Sequence, residues 1–173
     1  TRYGWINGVP VRTEHTNFPW VNGVPYIIYE YESAVTYSLT NDPSTKAFGV
    51  VTASTTYYAK GSAPANPVVD GDCTFTLTND GSGAEKISIH GHSFTGEVGW
   101  TLTSGAPGVD TIKIIAYPSG IDPATGVVLT TADQTLIASM NVGHTHWDFS
   151  LQTGTFSDGV AKSGVITLTA AAP

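Results

Sequence analysis

The sequence predicts an all-β protein, a two-layer antiparallel sandwich behind an N-terminal extended arm. Three observations carry that reading. Apolar side chains alternate with polar ones over short runs, as in Phe75-Thr76-Leu77-Thr78 and Ile87-Ser88-Ile89. Clusters of Gly, Pro, Ser, Asn and Asp punctuate those runs at short intervals. No stretch repeats its apolar residues at the 3.6-residue helical period, and β-branched and aromatic residues are abundant while Lys- and Glu-rich stretches are missing.

Residues 1–32 are read as the arm and 33–173 as the sandwich domain. The arm states one heptapeptide twice, Trp5-Ile6-Asn7-Gly8-Val9-Pro10-Val11 and then Trp20-Val21-Asn22-Gly23-Val24-Pro25-Tyr26. Each copy joins an aromatic anchor to an Asn-Gly pair that tolerates positive φ and a Pro that withholds a ladder donor. Such units make an irregular arm in place of one long strand. Its apolar groups are Trp5, Val9, Phe18, Trp20, Val24, Tyr26, Ile27, Tyr29 and Tyr31. Apolar area left in water costs roughly 25 cal/mol per Å², so these groups are expected to find cover on a neighbouring subunit. The alternative is a pair of tight turns packed on their own domain.

Beyond the repeats, Ile27 to Glu32 and Val35 to Leu39 read as strands, with Ile27, Tyr29, Tyr31, Val35, Tyr37 and Leu39 on one parity. Asn41-Asp42-Pro43 is expected to break the run. Strands are then predicted at Phe48 to Thr52, Thr55 to Ala59, Cys73 to Thr78, Lys86 to His92, Trp100 to Thr103, Thr111 to Tyr117, Thr135 to Met140, Trp147 to Gln152 and Gly164 to Ala170. Turns fall at 61–64, 79–83, 104–108 and 118–126. Strands this short, with no helical pattern between them, imply two antiparallel sheets. The inward layers are assigned to Phe75 and Leu77, Ile87 and Ile89, Trp100 and Leu102, Ile112 and Ile114, Trp147, Phe149 and Leu151, and Ile166 and Leu168, facing each other across about 10 Å. Thr74, Thr76, Thr78, Thr101, Thr103, Thr167 and Thr169 take the opposite, solvated parity.

Composition narrows the function. At 173 residues the chain has room for one domain and an extension. Charged residues are 12% of the chain, half the usual share, so Gly, Ser and Thr supply a neutral, hydroxylated surface. A net charge of -7 with seven scattered Lys and Arg leaves no footprint for a phosphate backbone, and nucleic acid is excluded as a partner. There is no run of eighteen apolar residues to span a membrane. Cys73 has no bridging partner within the chain and shares the parity of Phe75 and Leu77, which marks it as a small buried apolar residue. A chain that starts at Thr1 is read as processed, by loss of a signal peptide or of Met alone. Few Lys, one Met and one Cys fit an extracellular or virion-surface setting.

From about Phe48 onward the chain resembles the prokaryotic immunoglobulin-like domains of surface and virion proteins. The likeness is carried by Cys73-Thr-Phe-Thr-Leu-Thr-Asn79, Ile87-Ser-Ile89, Phe94-Thr-Gly96, Gly99-Trp100-Thr-Leu102, Trp147-Asp-Phe149, Phe156-Ser-Asp-Gly159 and Lys162-Ser-Gly-Val-Ile-Thr-Leu-Thr-Ala170. It implies an immunoglobulin-like or jelly-roll sandwich. It also implies a structural role, as in biofilm-fibre and archaeal bundling-pilus subunits, whose terminal strand completes the next sandwich, or in phage decoration and tail proteins. The partners implied are further copies of the chain, or other structural subunits of the same assembly. Strand addition of this kind joins open backbone groups at a sheet edge to an extended segment from a neighbour. Val24 to Leu39 is the candidate donor, its odd-numbered residues being apolar; otherwise it is the domain's own first strand.

Catalytic signatures are missing: there is no Gly-x-Ser-x-Gly, His-Glu-x-x-His or phosphate-binding Gly-rich loop. The chain is therefore read as non-enzymatic, with no cofactor required. One pattern has metal-ligand grammar. His90-Gly91-His92 and His144-Thr145-His146 each set two imidazoles on one side of a strand, and if the strands are neighbours, four nitrogens converge on Zn or Cu. The opposing reading leaves all four solvated, since both pairs oppose the core parity. Asp70-Gly71-Asp72 with Asp80 is a weaker calcium candidate. Trp5, Trp20 and Tyr26 would form the stacking platform of a carbohydrate-binding module, the remaining alternative.

Overall fold

A computed structural model of the chain describes residues 35–96 and 99–173 in full and, before them, the backbone of four short strands. The chain divides into two compact units, Thr1–Ala34 and Val35–Pro173.

In the first unit the heptapeptide repeat becomes a repeated structure. Strands β1 (Arg2–Ile6) and β2 (Val9–Thr13) pair antiparallel, and so do β3 (Trp20–Val21) and β4 (Val24–Pro25). The registers are equivalent: Trp5 lies opposite Pro10 and Trp20 opposite Pro25, with an Asn-Gly pair between the partners each time. The described strands of this region are therefore two short antiparallel pairs. Phe18, Tyr26, Ile27, Tyr29 and Tyr31 lie outside the described residues.

The second unit is all-β, as the alternation requires, with two sheets sharing one core. The larger has the order β11-β10-β13-β7-β5, with β6 beside β7 on the same edge of β13 and β9 along β10. Its members are β5 (Leu39–Asp42), β6 (Thr56–Tyr58), β7 (Phe75–Asn79), β9 (Thr101–Leu102), β10 (Thr111–Pro118), β11 (Val127–Val128) and β13 (Gly143–Thr153). The smaller has the order β12-β8-β14, from Gln134–Met140, Glu85–Gly91 and Ile166–Ala171. Every pairing is antiparallel except the short β9–β10 contact.

The core follows the predicted parity. Phe75, Leu77, Ile87, Ile89, Trp100, Ile112, Ile114, Trp147, Phe149 and Leu151 are buried together, with Leu102, Ile166 and Leu168 packed against them. Phe75 stacks on Trp147 and on Phe149 with ring centres 4.9 and 5.6 Å apart, which ties β7 to β13 on the core face. The turn between β7 and β8 carries the chain from one sheet to the other. Asn79, buried in that corner, donates to the carbonyls of Gly83 and Met140 and accepts from Gly81 N–H. A Cβ on Gly81 would meet the Thr36 carbonyl oxygen at 2.2 Å, so the corner admits only glycine there.

Three strand predictions need correction. Phe48 to Thr52 is a loop, because Gly49 turns to a φ of +68° and leaves Val50 95% exposed. The run predicted over Val35 to Leu39 pairs only from Leu39 and continues through Asn41 and Asp42, the residues expected to end it. Trp147 to Gln152 is the second half of a longer strand whose first half carries the second His pair. Among the described residues, no helix is long and apolar enough to cross a membrane.

Leu77 is fully buried between the sheets, so Leu77→Ala is expected to lower the unfolding free energy in urea by about 2–5 kcal/mol. Thr169→Ala on the exposed face is expected to stay within about 0.5 kcal/mol of the parent.

Candidate functional site

The two sheets differ in width, and their mismatch leaves a groove. It is a cavity of about 770 Å³ between β14 and the large sheet. Phe75, Trp147, Phe149 and Leu151 line it from the large sheet, Ile166 and Leu168 from β14, and Phe94, Trp100 and Phe156 are also part of its lining. Trp100 and Phe156 lie parallel with ring centres 4.6 Å apart. Segments 44–51 and 158–164 form the rim, where Val50 and Val160 are exposed. These walls are the inward faces of core strands, and Phe75, Trp147, Phe149 and Leu151 are buried at its base, so the groove is a recess floored by the core.

The edge of β14 beside it is also open. Val165 accepts a hydrogen bond from the N–H of His92, the residue after β8, which fixes the phase of the ladder. Odd-numbered residues of β14 point their backbone groups at β8; Ile166, Leu168 and Ala170 point theirs away. The same three residues turn their side chains toward the core. Among the described residues, no strand pairs with that edge. An apolar slot beside unpaired N–H and C=O groups is the geometry that accepts an added strand.

The histidine pairs sit elsewhere. His90 on β8 and His92 just beyond it project from the outer face of the small sheet, with ring centres 4.9 Å apart. His144 and His146 project from the large sheet, opposite in parity to the core residues Trp147 and Phe149, with ring centres 5.8 Å apart. The strands belong to different sheets and both pairs face outward, so the four imidazoles do not meet. His146 instead has its Nδ1 3.5 Å from an Asp70 oxygen. The hydroxyl of Ser119, with His146 beside it, holds the Asp70 carboxyl below the usual carboxylate range. Asp70 and Asp72 form a 3-10 turn before β7, whereas Asp80 follows its far end. Five residues of strand span about 17 Å, so the calcium grouping does not assemble. Among the described residues, no three His, Cys, Asp or Glu side chains cluster as metal ligands.

A small polar site that parity did not predict lies on the outer face of the large sheet. Asp148 points away from the main core yet is 1% exposed, near a second cluster of Val68, Cys73 and Tyr117. Its oxygens accept from the N–H groups of Lys60 and Phe149. Burial pushes the carboxyl up to about 6, against the pull of those hydrogen bonds and of Thr74. Cys73 is buried as expected, but in this cluster and not beside Phe75 and Leu77. Burial, with the charge of Asp148 next, pushes its thiol up to about 12, which removes the thiolate a nucleophile needs.

Comparison with protein-family models, with curated proteins and with solved structures finds no match. The functional reading therefore stands on the groove, the open edge and the sequence.

Asp148 gives a pH dependence of known sign. Its carboxyl titrates higher in the folded chain than the ordinary value of about 3.9, so its protonated form contributes stability below about pH 4, lost as pH rises through about 6. The melting temperature is expected to fall between about pH 4.5 and 7, and Asp148→Asn is expected to flatten that slope in a thermal melt series.

Proposed function

We propose that the chain is a non-enzymatic structural subunit of a self-assembling extracellular filament or particle surface, joined to its neighbours by strand addition. The carrying observation is the aromatic-lined groove of about 770 Å³ beside the unpaired edge of β14. The occupant is the segment around residues 24–31 of another copy. Ile27, Tyr29 and Tyr31 share one parity, which suits the apolar slot, while Glu30 and Glu32 take the other and face water. Lys46 at the rim favours an acidic outer face on the donor, while Lys162 is already paired with Asp158.

The donor is shorter than the Val24 to Leu39 segment expected from sequence. Leu39 already pairs with β7 of its own domain through β5, which confines donation to residues before it. The resemblance to immunoglobulin-like surface and virion domains supports the same role, in a filament or in the decoration or tail of a virion.

A triple variant, Ile27→Asp, Tyr29→Asp and Tyr31→Asp, separates assembly from folding. In light scattering the parent chain is expected to assemble with rising concentration, and the variant to stay monomeric with an unchanged melting temperature. Assembly at the parent level would overturn the proposal. So would a lowered melting temperature in the monomer, which would place the segment on its own domain.

A further inference from the structure

We propose that His90 and His92 form a divalent transition-metal site, open to solvent on the outer face of the small sheet, with Asp133 as its positioning residue. This site is independent of strand addition and of the second His pair.

The argument starts from nitrogen positions. The Nε2 atoms of His90 and His92 lie 3.1 Å apart. A cation bound about 2.0–2.1 Å from each would hold them about 3.3 Å apart at a tetrahedral angle, or about 2.9 Å apart at a right angle. The observed separation lies between those values, so an ion can bridge the two nitrogens once the rings turn their Nε2 lone pairs from each other toward it. Alternation along β8 is the cause: residues two apart share a face, and Gly91 between them turns inward against Leu102 and Leu129.

Tautomer and orientation are also set. His90 Nδ1 is 2.6 Å from an Asp133 oxygen, the carboxylate–imidazole arrangement that leaves Nε2 with a bare lone pair. His92 Nε2 then donates its hydrogen to His90. On metal binding that hydrogen moves to Nδ1 of His92 through solvent, and both Nε2 lone pairs face the ion. Thr167 Oγ1, 3.2 Å from His92 Nε2, borders the same point from β14. Two imidazoles with open remaining positions suit Cu²⁺ first, then Ni²⁺ or Zn²⁺, with water completing the shell. His144 and His146 lack this arrangement: His146 offers its Nδ1 to Asp70 at 3.5 Å, and no short nitrogen–nitrogen approach joins the pair.

The test is titration of the full chain with CuCl₂ by calorimetry, with electron paramagnetic resonance of the bound ion. The expected result is one strong equivalent showing two equatorial nitrogens, lost in His90→Ala/His92→Ala and retained in His144→Ala/His146→Ala. Asp133→Asn is expected to weaken that equivalent about 10–100-fold without changing the nitrogen count. A strong equivalent that survives the His90/His92 double variant, or that disappears with either pair, would overturn the site. Parent-like affinity in Asp133→Asn would overturn the role given to Asp133. Circular dichroism of each variant checks that the sheet is intact, and a variant that has lost it is replaced by His90→Gln/His92→Gln.

Discussion

The long strand β13 is the constraint on which the large sheet depends. Its eleven residues pair with β10 along one edge and, in succession, with β7 and β6 along the other. β7 and β6 are short, and both lie in register along this one continuous strand. Trp147, Phe149 and Leu151 then present one unbroken apolar row to the small sheet. Non-local pairing of this kind closes large loops, and the entropy of closure is offset only when the aromatic layer packs.

The groove follows from the same arrangement. β13 and its neighbours make a wide floor, whereas the facing sheet offers three strands. The floor beside β14 borders the groove, with Phe75, Trp147, Phe149 and Leu151 buried at its base. Segments 44–51 and 158–164 border it with a few apolar residues, but they are loops and present no ladder to the β14 edge. A strand is the element that satisfies both demands at once, since a single extended segment supplies backbone partners and alternate apolar side chains.

Much of this was legible in the sequence, and the failures have local causes. Period-2 alternation placed every assigned inward residue from Phe75 to Leu168 at the core, because side chains that share a parity must share a face. It failed at Phe48 to Thr52, where the apolar pattern is strand-like but Gly49 at positive φ breaks the extension. It failed again at Cys73, which precedes the first paired residue of β7 and so escapes its parity. Asp148 could not be found this way: its outward parity promises water, and only the packing of Val68, Cys73 and Tyr117 outside the sheet buries it. The histidine pairs show the limit of the method. Parity assigns the face of a strand correctly, but whether two strands are neighbours is a matter of topology, and β8 and β13 lie in different sheets.

β14 shows why the two proposed sites stay separable. Its even residues Ile166, Leu168 and Ala170 turn inward, Ile166 and Leu168 lining the groove, while Thr167 turns outward beside His92. One residue of chain thus separates an apolar slot from a polar, metal-accessible face, with the backbone ladder as the wall between them. Metal bound at His90 and His92 touches neither the aromatic floor nor the free N–H and C=O groups of the edge. A donor strand, in turn, adds beyond β14, about 4.8 Å further from β8. Each site therefore depends on the sheet being folded, and neither depends on the other being occupied.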